Sequence, residues 1–159
     1  MTEVFNVSTF RHELWGGPRR YYRFYIYDTV EELRAACVKF NRKHYPRGPY
    51  QNFSDTAGVC HPVSYRERYD RKKREWVQTN VPGWAGIIRL CNGWLTNEVV
   101  SHECVHAAIG IYRLDISNGK SILVENGNTA EEALAYMTGD IYAGAAHELI
   151  SRGFWEGTL

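Results

Sequence analysis

Apolar residues recur along the chain with two periods, and the switching between them lays out an α+β protein. From Tyr21 to Tyr27 aromatic and polar positions alternate, the two-residue period of a strand. Asp28-Thr29 then offers a helix cap, after which Val30, Leu33, Cys37, Phe40 and His44 fall on one stripe at helical spacing, ended by Pro46 and Gly48. Residues 46–58, rich in Pro, Gly, Asn, Ser and Asp, read as loop. The alternating segments His61 to Tyr65 and Glu75 to Thr79 flank a charged run, 66–74, that reads as the tip of a hairpin. Gly86 to Leu90 reads as a strand, Asn92-Gly93 as a tight turn, and Thr96 to Tyr112 as a helix.

A last helix starts after the turn cluster Asn126-Gly127-Asn128-Thr129. Leu134, Met137, Ile141 and Ala145 form its apolar stripe. Glu132, Ala135, Gly139 and Ala143 form a second stripe of small side chains headed by a carboxylate. Because glycine inside a helix costs about 1 kcal/mol against alanine, Gly139 predicts a close approach to another helix along this second stripe.

One run carries chemistry. His102-Glu103-Cys104-Val105-His106 is an H-E-x-x-H pattern inside the predicted helix, and it arises in only about 2% of shuffled chains of this composition. Helical spacing puts the two imidazoles one turn apart on one face, where they can converge on a cation, with Glu103 beside them. A catalytic zinc takes three protein ligands and leaves a position for water, whose proton a nearby non-ligand carboxylate can accept. Glu103 fits that role. The alternative is a surface helix that carries two histidines with no metal.

The third ligand has to come from further along. Ile109 and Tyr112 stand where the extended form of the motif would place a glycine and a third histidine. If the last helix packs on the histidine helix, Glu132 points at the metal; Glu131 is its rival, and another residue could complete the site. Thr129-x-x-Glu132 is also a capping box, in which the carboxylate only satisfies the first amides of its helix.

His102-Glu103-x-x-His106, followed by Glu132-x-x-Ala135-Tyr136-x-x-Gly139, resembles the gluzincin class of zinc metallopeptidases. The short separation is similar to that in compact members, including the ImmA/IrrE-like metallopeptidases and small bacteriophage proteins. The resemblance implies His102, His106 and Glu132 as ligands of Zn2+, Glu103 as general base, and a zincin-like fold. It spans about residues 84 to 144. It departs from the class at Tyr136, where an acid or amide often orients a metal-bound histidine. In peptidases of this kind a strand beside the active-site helix offers a free edge to the substrate, which would make Gly86 to Leu90 that strand; a plain interior strand is the alternative.

Composition and charge narrow the partners. The 159 residues, 44% hydrophobic, form one domain, 1–159, with no stretch long and apolar enough for a membrane span and no leader-like start, so a cytoplasmic protein is expected. Cys37, Cys60, Cys91 and Cys104 lack C-x-x-C spacing and read as reduced thiols; a zinc site from Cys60, His61 and Cys91 has no spacing to support it. Residues 1–80 carry 15 Lys and Arg against 9 acids, net +6, and residues 81–159 carry 4 against 9, net −5. The basic focus is Arg66 to Arg74, but Glu67 and Asp70 interrupt it, so a nucleic-acid partner is not the expectation.

The sequence therefore predicts a single α+β zincin-like domain, a mixed or antiparallel sheet packed on the histidine helix, with a second helix supplying Glu132. The expected activity is zinc-dependent hydrolysis of peptide bonds in a narrow set of protein or peptide substrates. Tyr112, Arg113, Tyr136, Tyr142 and His147 are candidates for stabilising the oxyanion. Competing readings are a non-catalytic metal-stabilised interaction protein and a nucleic-acid binder using the basic hairpin.

Overall fold

The computed structural model describes residues 2–9, 18–44, 51–62, 65–116 and 128–156, omitting side chains at 65–69, 76, 78–80 and 128–130. In chain order the elements are strands β1 (Glu3–Ser8) and β2 (Tyr21–Tyr27), helix α1 (Val30–His44) and strands β3 (Gly58–Pro62), β4 (Tyr65–Asp70), β5 (Glu75–Asn80) and β6 (Trp84–Cys91). A single 3-10 turn (Asn92–Trp94) follows, then helices α2 (Asn97–Asp115) and α3 (Asn128–Ser151).

Four strands form a mixed sheet in the order β1-β2-β6-β3, with β2 parallel to β6 and the outer pairs antiparallel. Strand alternation divides its side chains between two cores. Phe24, Ile26, Ile88 and Leu90 face one side, where Val100, Cys104, Ala107, Ala108 and Ile111 of α2 and Met137, Ile141, Ala145 and Leu149 of α3 cover them. Val59 and Cys91 face the other side and pack with Leu33 and Cys37 of α1. The result is α1, sheet, and an α2/α3 layer. Cys60 packs against the α2/α3 core and Cys91 belongs to the α1 core, so Cys60, His61 and Cys91 do not converge; all four cysteines are free.

The predicted β2, α1 and α2 are present. Thr29 and Thr96 cap the two helices, their hydroxyls accepting from the amides of Glu32 and Val99. α2 runs three residues beyond the expected Tyr112, to Asp115. Three expectations are resolved. First, of the two readings of Gly86 to Leu90 the interior strand holds: β6 lies between β2 and β3 and is buried on both faces, as a Trp-Ala-Gly-Ile-Ile-Arg-Leu-Cys run fits, and the strand at the sheet's edge beside α2 is β3. Second, the hairpin tip is shorter than 66–74, because residues 66–70 pair in β4 and the turn is Arg71 to Arg74. Third, the small-residue stripe of α3 does not pack on α2. Glu132, Ala135, Gly139 and Ala143 are exposed, and a Cβ at Gly139 would meet nothing within 4 Å. The glycine that permits close approach on α3 is Gly144, where a Cβ would lie 2.6 Å from Val7 of β1.

α2 and α3 are antiparallel. Tyr142 of α3 donates from Oη to Asn97 Oδ1 at the start of α2, and past the end of α3 the Trp155 Nε1 donates to the Leu95 carbonyl, ahead of that start. The opposite directions follow from the sheet: α3 passes Val7 at Gly144 and reaches Glu3 at Arg152, running against β1, while α2 meets Tyr22 at Ala107 and Arg20 at Asp115, running against the antiparallel β2. Close seating of α2 on the sheet depends on Gly110, where a Cβ would lie 2.6 Å from Tyr22 Oη and 2.9 Å from Pro62 Cβ, and on the Tyr22 hydroxyl, which donates to the Ala107 carbonyl at 3.1 Å. A two-pronged ion pair, Arg20 Nε and Nη2 to Asp115 at 2.9 and 2.6 Å, ties the end of α2 to the start of β2.

Candidate metal centre

His102 and His106 lie one turn apart on the exposed face of α2, with their Nε2 atoms 3.1 Å apart and ring centroids 4.7 Å apart at 77°. Two nitrogens that each sit about 2.0–2.1 Å from a tetrahedral zinc are about 3.3–3.4 Å from one another, so the spacing suits a chelating pair. Burial and the neighbouring His102 lower the pKa of His106, which favours the neutral form that binds metal. The donor chemistry of the pair thus fits Zn2+.

Glu103 projects away from solvent and is 5% exposed. It is wedged between α2 and the edge strand: its carboxylate accepts the backbone N–H of Cys60, and a Cβ on Gly58 would stand 3.0 Å from its Cγ. Burial raises its pKa to about 6, against opposing pulls from His102 and the Cys60 amide. A carboxylate tuned toward neutrality and held in one position is suited to accept and return a proton at physiological pH. The sequence pattern places residues 46–58 in loop, whereas Gly58 opens β3 and brings the Cys60 amide to Glu103. The available signal was a glycine opening the apolar Val59-Cys60 run, a mark of close backbone approach in a strand.

Glu132 and Glu131 are both exposed at the start of α3. Among the described residues, no group of three His, Cys, Asp or Glu side chains stands close enough together to hold a metal ion. The structure thus brings two of the expected ligands together, places the expected base beside them, and leaves both glutamates outside the pair. Glu132 precedes Tyr142 by about 15 Å of helix rise, which on the antiparallel α2 corresponds to the level of Ala107, next to His106. The Thr129 side chain of the possible capping box lies outside the described residues.

A concavity of about 310 Å³ adjoins His106, bordered by Pro62 at the end of β3, Ala85 of β6, and Ile109 and Arg113 of α2. Of the oxyanion candidates, Arg113 shares this concavity with His106, whereas Tyr112 is buried in the core. Tyr142 is engaged with Asn97, and Tyr136 is exposed on α3. His147 borders a different concavity, with Asn6 and Ser8 of β1, the strand at the far edge of the sheet from β3. No helix among the described residues is long and apolar enough to cross a membrane.

Compared with known proteins, the chain matches no family model, no curated protein and no solved structure.

Proposed function

We propose that the chain is a zinc-dependent peptidase of zincin-like fold, in which His102 and His106 hold the metal and Glu103 handles the proton. The observation that carries this reading is the 3.1 Å approach of the two Nε2 atoms on an open helix face, beside a buried carboxylate held against an edge strand. Zinc supplies a lowered water pKa and polarisation of the scissile carbonyl. Glu103, anchored by the Cys60 amide, takes the proton of the attacking water and delivers it to the leaving amine. Glu132 is the proposed third donor, supported by its level along α3 and by the gluzincin-like spacing of the sequence.

The concavity beside His106 supplies a place for a substrate side chain, and Arg113 on its rim supplies a donor for the carbonyl oxygen as negative charge develops. We further propose a narrow set of protein substrates, because indiscriminate hydrolysis would damage the cell that makes the enzyme. The test is the pattern of new protein termini in cells producing the wild type or Glu103→Gln. A few cleavages that depend on Glu103 support the reading. Hundreds of unrelated cleavages reject narrow specificity, and none under any condition rejects the peptidase.

A further inference from the structure

The β4–β5 hairpin is an insertion between the two strands β3 and β6, which are themselves paired. It leaves the sheet where Pro62 and Ala85 border the concavity at His106. Six paired residues per strand give it a length of about 20 Å. Its tip carries four consecutive cations, Arg71, Lys72, Lys73 and Arg74, all exposed, and among the described residues none of their side chains is in an ion pair.

The turn is built in a way that keeps these charges in place. Asp70, the nearest acid before them, has its Oδ1 committed to the backbone amides of Lys72 and Lys73, at 2.9 and 3.2 Å. Arg74 adopts φ 56°, the left-handed conformation that glycine takes with less strain. The other described positive-φ positions, Gly83, Gly86 and Gly153, are all glycine. Glycine at 74 would take this conformation with less strain, and the arginine there adds the fourth charge of the tip.

We propose that this tip is a docking site for an acidic segment of a protein substrate, lying about six residues or more from the bond that is cleaved. The choice of substrate class rests on the peptidase reading; the docking surface itself does not. Four cations within one turn match a compact cluster of carboxylates. A nucleic acid would require a longer basic track than four residues, and Glu67 and Asp70 interrupt the run on its N-terminal side.

The test uses full-length Glu103→Gln protein and fluorescence anisotropy at physiological salt. Labelled octaglutamate, octaglutamine and an eight-nucleotide single-stranded DNA are the probes. Octaglutamate is expected to bind at least 10-fold more tightly than the other two. The combined Arg71→Ser, Lys72→Ser, Lys73→Ser, Arg74→Gly variant is expected to lose that binding by at least 10-fold. Arg74→Gly alone should weaken binding while leaving the thermal midpoint unchanged or raised. Octaglutamate binding that is absent, or equal in the four-site variant, overturns the proposal, and tighter binding of the DNA overturns it in favour of nucleic acid. Wild-type protein is then offered paired peptides with and without the acidic segment. Faster cleavage of the acidic one, abolished in the four-site variant, supports substrate docking; equal cleavage of both overturns it. Tip-dependent binding with no cleavage of either leaves the docking surface standing and removes the peptidase reading.

Discussion

A Cβ atom added to Gly58 would lie 3.0 Å from the Cγ of Glu103, so the edge strand and the proposed catalytic carboxylate approach closely enough that a methyl group there would force its neighbours to shift. Val99 Cγ1 and Leu90 Cδ2 close the same position at 3.0 and 3.1 Å. Gly58→Ala is therefore expected to destabilise the protein by about 1–3 kcal/mol in urea denaturation, through overpacking. Gly139→Ala meets no atom within 4 Å and removes a helix-interior glycine, so it should be neutral or stabilising by up to about 1 kcal/mol. Equal effects at the two sites would contradict the packing described for β3 and α3.

His61 gives a pH dependence on the other face of the sheet. Its ring lies 4.2 Å from that of Phe40, tilted by 30°, its Nε2 is buried without a hydrogen-bond partner among the described residues, and burial, Arg89 and His44 push its pKa down to about 3. The folded state therefore holds the ring neutral, while the unfolded chain binds a proton near the ordinary histidine value of 6.5. Stability from this group is full above the unfolded pKa and is lost as pH falls from there toward the folded pKa. The loss amounts to about 3 kcal/mol by pH 4. His61→Phe should flatten the stability profile between pH 6.5 and pH 4 relative to wild type. Parallel profiles for the two proteins would show that His61 is not held neutral by the fold.

The ion pair between Arg20 and Asp115 fixes the end of α2. Both side chains are largely withdrawn from solvent, so Asp115→Asn leaves a guanidinium without its carboxylate and should cost about 3 kcal/mol or more in denaturant unfolding. A loss under about 1 kcal/mol would show that the contact is no stronger than a surface pair.

Much of this was legible because local pattern and tertiary demand agree. Tyr22, Phe24 and Ile26 alternate because one face of β2 is core, and Thr96 caps α2 where the apolar period begins. β1 does not stand out in the sequence, although Phe5 and Val7 alternate into the core with Val4 and Asn6 exposed on the other face; six residues carry too little periodicity. The edge position of β3 was hidden because strand order depends on pairings distant in the chain, and the insertion of β4–β5 separates β3 from its partner β6. Gly139 misled because a helix-interior glycine signals close approach only when another element lies opposite it. Of the site, the motif gave the histidine pair and Glu103, whereas the grip of Gly58 and the Cys60 amide on Glu103 could emerge only from folding.

Ligand and base separate by mutation. Glu103→Gln should bind zinc as wild type does and lose peptide hydrolysis, whereas Glu132→Ala should weaken zinc by roughly 10-fold or more. Competition against a chelating dye gives the affinity, and mass spectrometry of a peptide mixture gives the hydrolysis. If Glu131→Ala is the change that releases zinc, the third donor is one residue earlier. If Glu103→Gln releases it, the roles of the glutamates are reversed.

Anomalous diffraction at the zinc edge, from crystals of the full chain grown with one equivalent of zinc, tests the central claim most directly. The account predicts one fully occupied zinc, about 2.0–2.1 Å from Nε2 of both His102 and His106, with a glutamate of α3 as third protein ligand and a solvent position remaining open. Zinc bound elsewhere, or no stoichiometric zinc at the pair, would contradict it.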